Sequence, residues 1–155
     1  MAFRIHPLPA APFADLFVLE DGALAARNAR RVTVTEKPGA PCRISLEDAE
    51  PGEDVLLVNH MHLDAASPYR ACHAIYVRRG VAPARPARGA VPDSIASRYL
   101  ALRALDADGM IRDAALTPGA EAAETLERFL SDPMVEQVHI YYAARGCYAA
   151  RATRA

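Results

Sequence analysis

Val55-Leu56-Leu57-Val58 is the longest strongly apolar run in the chain, and it limits the possible folds more than any other feature. Four residues cannot cross a bilayer, which takes about 20 in a helix. The run reads instead as the middle of a buried strand over 54–62. Side chains alternate along a strand. Val55, Leu57 and Asn59 therefore point one way, and Leu56, Val58, His60 and His62 the other.

The rest of the chain is punctuated by turns. Residues 3–5 open a strand, and 13–28 read as one or two short helical turns broken near Gly22. Val32-Thr33-Val34-Thr35 stops at Lys37-Pro38-Gly39, a turn signal. A strand follows over 72–77. Residues 79–92 carry Gly80, Pro83, Pro86, Gly89 and Pro92 and read as a loop, the most mobile part of the chain. Residues 99–105 and 110–116 form a hairpin across Asp106-Ala107-Asp108-Gly109, where the glycine supplies a left-handed backbone. Thr117-Pro118 then looks like a helix start, with a hydroxyl cap and proline at the first position. Ala122, Leu126, Phe129 and Leu130 share one face of that helix. Strands over 135–142 and 147–152 close the chain, joined through 143–146. These elements do not alternate as strand and helix. They predict a single α+β domain over 1–155: a largely antiparallel sheet with one main helix, 117–131, packed on it, and short helical turns near the N-terminus.

Charge and cysteine content narrow the function classes. The net charge of -1 argues against a nucleic-acid partner or an anionic membrane surface. The start of the chain is interrupted by Pro7, Pro9, Pro12 and Asp15 and does not read as a secretory signal. Cys42, Cys72 and Cys147 form no CxxC pair and are odd in number, so a reducing cytoplasm is expected and a disulfide framework is not. Basic residues gather locally: Arg70, Arg78, Arg79, Arg85, Arg88, Arg98 and Arg103 fall in one segment with Asp93 the sole acid. Forked guanidinium groups there could hold a phosphate or carboxylate. A solvated, proline-rich loop is the alternative reading.

His60-Met61-His62-Leu63-Asp64 is the sharpest local pattern. Histidines at i and i+2 of a strand share a face and could converge on a divalent metal. The stretch resembles the H-x-H-x-D-H zinc motif of metallo-β-lactamase-type hydrolases, but Ala65 stands at the last ligand position. The resemblance implies metal-dependent hydrolysis through His60, His62 and Asp64. Without a third histidine nearby, hydrogen-bonded strand-end residues are the competing reading, and no cofactor is predicted. A cysteine nucleophile needs a base in reach. If 143–146 is the turn, Tyr142 lies opposite Cys147 and His139 opposite Ala150, which puts Cys147 and His139 on opposite faces.

Pro41-Cys42-Arg43-Ile44-Ser45-Leu46, Asp48-Ala49-Glu50-Pro51-Gly52-Glu53, Ser67-Pro68-Tyr69, Ile75-Tyr76-Val77 and the ending through Gly146-Cys147-Tyr148 carry a wider resemblance. The chain resembles a bacterial family called domain of unknown function 1203. The family's fourth strand often reads Gly-Pro-Ile-Phe-Val-His, and here Arg78 stands where that histidine would be. The resemblance implies no reaction, but it points to Cys42, Arg43, Tyr69, Cys147 and Tyr148 as places to seek a site. Together with Arg70 and Arg78, these are the expected ligand-binding residues, and the expected ligand is a small anionic molecule, bound by a binding protein or an enzyme. The alternative is a non-catalytic interaction module that pairs as a homodimer.

Overall fold

The 55–58 run lies inside β3 (Asp54–Leu63) of the computed structural model, which describes residues 2–155. β3 pairs antiparallel with β2 (Ala29–Thr33) on one side and β4 (Ala71–Arg78) on the other. Leu56 faces Val77 across the ladder and Val58 faces Ile75, so one apolar face is continuous over both strands. Phe13 from α1 (Ala11–Ala14), Phe17 from the 3-10 turn after it and Leu24 from α2 (Asp21–Ala25) cover that face.

The second sheet has five strands in the order β1 (Phe3–His6), β8 (Cys147–Arg154), β7 (Gln137–Tyr142), β5 (Tyr99–Leu105) and β6 (Ile111–Pro118), each antiparallel to its neighbour. One face holds the larger core, including Phe3, Ile5, Leu100, Leu102, Val138 and Ile140. Across its other face, the rings of His139, Tyr141 and Tyr148 meet His60 and His62 of β3.

The expected α+β architecture does not hold: the protein is mostly β, with eight strands in two sheets and no dominant helix on either. The expected helix 117–131 shrinks to α4 (Ala122–Leu130), preceded by a 3-10 turn at Gly119–Glu121. Thr117 and Pro118 instead end β6, opposite Leu100 and Tyr99. The reason is strand pairing. β6 is an edge strand, where a proline forfeits no ladder hydrogen bond, and Thr117 gains burial there. A nine-residue helix is about 13 Å long, whereas five strands span about 19 Å. Leu126, Phe129 and Leu130 therefore cover only part of the sheet, and Ile95 of α3 (Asp93–Ala96), Leu46 and Val135 complete the core.

Gly119 sits where the chain turns out of β6. A Cβ there would stand 2.6 Å from both Ala96 O and Arg98 O, with Ile95 O closer still. The Gly119 N–H also donates to Arg98 O at 2.7 Å, so the backbone cannot retreat without losing that bond. Gly119→Ala is expected to cost about 2–4 kcal/mol, measured by urea unfolding. An unchanged midpoint would show that the α3 carbonyls move aside freely.

Residues 79–92, read from sequence as the most mobile loop, form an extended strap held along its length. Ala84 N donates to Ile44 O and Gly89 N to Phe3 O, both at 2.8 Å, while Val81, Ala84 and Val91 pack against the two cores. The closing hairpin also departs from its expected register. Tyr142 does face Cys147, but a bulge between Ile140 and Tyr141 sets His139 opposite Arg151 instead of Ala150. Among the described residues no helix is long and apolar enough to cross a membrane.

Candidate functional site

Arg43 joins the two sheets. Its strand-like neighbour Cys42 bridges to Tyr76, and Arg43 N donates to Tyr76 O at 3.1 Å, which runs the segment along the edge of β4. From there the side chain crosses to β8 and is only 1% exposed. Nε donates to Tyr148 O at 2.7 Å, Nη1 to Pro41 O, and Nη2 to Cys147 Sγ at 3.1 Å. None of these partners is a carboxylate. Removing an ion from water costs several kcal/mol unless a counter-charge meets it, so this guanidinium has positive charge left over.

Tyr142 lies between two guanidinium groups, with Arg43 Cζ and Arg98 Cζ each 5.0 Å from its ring centroid. Such contacts are worth about 0.5–2 kcal/mol each, more when desolvated. Burial raises the Tyr142 hydroxyl pKa and the two arginines oppose it; the net shift is upward, so the group stays a neutral phenol. Arg98 is neutralised by a bidentate pair with Asp48 at 2.9 and 2.6 Å.

Between these groups opens a cleft of about 530 Å³, within the roughly 300–1,000 Å³ usual for small-ligand sites. Arg43, Cys147, Tyr142, Arg98, His73 and Arg145 supply its polar lining; Leu57, Tyr76 and Tyr99 supply much of the apolar wall. No carboxylate belongs to that lining. Arg145 is exposed and forms no ion pair among the described residues. Two other cavities are charge-compensated. The groove of about 1280 Å³ beside Arg78 and Lys37 also holds Glu47, Asp48, Glu50 and Asp93. The one of about 670 Å³ beside His62 and Arg151 also holds Asp64, Asp106 and Asp108.

The residues singled out from sequence do not all come together. Arg43 and Cys147 meet in the cleft. Tyr148 stands behind it, offering its carbonyl to Arg43 and its ring to the histidines. Cys42 is buried, its sulfur accepting from the backbone N–H groups of Ile44, Ser45 and Arg78 at 3.4, 3.5 and 3.3 Å. Arg78 is committed to Glu53 at 2.8 and 2.6 Å and to Glu47 at 3.4 Å, and the first pair holds the Glu53 carboxyl below its usual range. Arg70 pairs with Asp64 at 2.9 Å, and Tyr69 is exposed beside it.

His60 and His62 do share a face, but they meet rings, not a ligand shell. His62 stacks on Tyr148 at 5.3 Å and meets Tyr141 edge-on at 5.4 Å, while His60 lies 5.8 Å from Phe13. Both ring nitrogens of His62 are buried without a partner. Desolvation, then neighbouring positive charge, pulls His62 down to about 4 and His139 to about 3. Among the described residues no three His, Cys, Asp or Glu side chains gather in a way that could hold a metal.

Sequence reasoning left out Tyr142, Arg145 and His73 as ligand residues and named Arg98 only as part of the basic segment. The hairpin turn held the available signal: Tyr142 and Cys147 face each other across it, so residues between them must sit at the mouth of whatever the pair lines. No curated protein and no solved structure matches the chain. The family described as Protein of unknown function (DUF1203) matches over residues 39–154, a span that contains every residue lining the cleft. The chain belongs to the DUF1203 family.

Proposed function

We propose that the protein binds a small organic anion in the cleft between the two sheets. The observation that carries this reading is Arg43, a buried guanidinium with no acidic partner, in the lining of a cavity that also has no carboxylate. An incoming carboxylate would supply the missing counter-charge in a low-dielectric site, where charge-assisted bonds are about twice as strong as neutral ones. Leu57, Tyr76 and Tyr99 would take an apolar or aromatic body. Arg145, exposed at the cleft, would steer the anion in.

Benzoate is a suitable probe. At about 100 times its dissociation constant it is expected to stabilise the fold by about 2.7 kcal/mol, read as a rise in Tm. Arg145→Ala is expected to weaken binding by about tenfold, or 1.4 kcal/mol, with the unliganded Tm unchanged. No rise with benzoate or with phosphate would overturn the reading. A cytoplasmic setting accompanies it, since all three cysteines are free thiols. The second reading, pairing between copies, rests on β6: its outer edge is unpaired and its Leu116 is 66% exposed.

A further inference from the structure

Building on the anion-binding reading of the cleft, we propose that Cys147 is its reactive group, a thiol that attacks an electrophilic carbon of the bound organic anion. Two features meet at the sulfur. Arg43 Nη2 donates to it at 3.1 Å, so negative charge on sulfur faces a cation. Cys147 is 7% exposed and lines the cleft, so a reagent reaches it by occupying the anion site.

In the step, the thiol gives its proton to solvent and the sulfur lone pair forms an S–C bond, with Arg43 Nη2 held against the sulfur. The leaving group departs with the electron pair of the bond that breaks. The other two thiols lack this setting. Cys42 is walled in by backbone amides, and Cys72 is exposed on β4 outside the cleft lining. The substrate class is a carboxylate or similar oxyanion carrying an alkylating or acylating carbon, with its charge toward Arg43 and Arg145.

The test alkylates the full-length protein in parallel with iodoacetate, an anionic electrophile, and iodoacetamide, its neutral counterpart. Each cysteine peptide is followed by mass spectrometry. Both reagents join carbon to sulfur and release iodide. Cys72, exposed in the same molecule, is the internal reference. The iodoacetate-to-iodoacetamide rate ratio at Cys147 is expected to exceed that at Cys72 by about tenfold or more. It should fall toward the Cys72 value in Arg145→Ala. Equal ratios at the two cysteines, or an inert Cys147, overturn the proposal. Benzoate titration keeps the two levels apart. Benzoate binding with an inert Cys147 removes the thiol chemistry and leaves the anion site, whereas absence of both benzoate binding and charge preference removes both.

Discussion

Arg43→Ala is expected to lower the unfolding free energy by about 3 kcal/mol, a fall of about 10 °C in Tm for a chain of this size. Two buried carbonyls, Tyr148 O and Pro41 O, lose their side-chain donor, and each such loss costs about 1–3 kcal/mol. The missing side chain also leaves a cavity at the junction of the sheets, worth about 24 cal/mol per Å³ that does not collapse. Relief of the buried charge works the other way and keeps the net loss below the sum. Arg43→Met separates these effects, because methionine restores much of the volume but none of the donors. It is expected to recover the cavity part alone. A methionine variant more stable than the parent would mean that the guanidinium costs the fold free energy, as a ligand-binding charge does. An alanine variant with an unchanged urea midpoint would show that Arg43 does not join the sheets.

Stability is expected to fall by about 2–3 kcal/mol between pH 7 and pH 5, chiefly because of His62 and His139. Burial holds both below their ordinary value of 6.5, at about 4 and about 3. The unfolded chain therefore binds more protons than the folded one in the window between. The stability these neutral rings carry is complete above pH 6.5, declines as pH falls below it, and stops declining near the folded values. At pH 5 a fully buried histidine costs about 2 kcal/mol by this linkage. His139, 2% exposed, approaches that figure; His62 is half-buried and contributes less. Protonation would place cations among Arg103, Arg151 and His60, where the sheets meet, with Asp64, Asp106, Asp108 and Glu136 lining the neighbouring cavity. The double variant His62→Phe/His139→Phe keeps the ring packing on Tyr148 and removes both proton sites. Its urea midpoint is expected to decline much less from pH 7 to 5 than the parent's, with only His60 and His6, which burial also holds below 6.5, still contributing. A parallel decline in parent and variant would place the acid sensitivity elsewhere, for instance at the Arg78–Glu53 pair. That pair should give way only at lower pH, since Glu53 is held below its usual range.

Local backbone chemistry was legible from residue order alone. The 55–58 run is a buried strand because nothing else accommodates four adjacent large apolar side chains between turns. Period-two alternation put His60 and His62 on the Leu56–Val58 face, where the structure has them meeting Phe13 and Tyr148. Gly109 and Gly146 both adopt positive φ, at 76° and 71°, and close their hairpins where a residue without Cβ is cheapest. Family membership was legible too, because it rests on residue strings.

Long-range pairing is what residue order could not decide. Thr117-Pro118 carries an honest helix-start signal, yet Leu100 and Tyr99 offered it strand partners, and pairing with burial outweighed a capping preference worth about 1 kcal/mol. The bulge at Ile140 shifts one register position, and no residue in that stretch announces it. The site shows the same division most clearly. Arg43, Arg70 and Arg78 are chemically identical in sequence. Asp64 claims the second, and Glu53 with Glu47 the third. Arg43 alone is carried under β8 to sulfur and carbonyl partners more than 100 positions away. Charge can be counted along a chain, but whether a guanidinium keeps its charge free for a ligand depends on which side chains the two sheets bring within about 3 Å of it, and only the tertiary structure sets that.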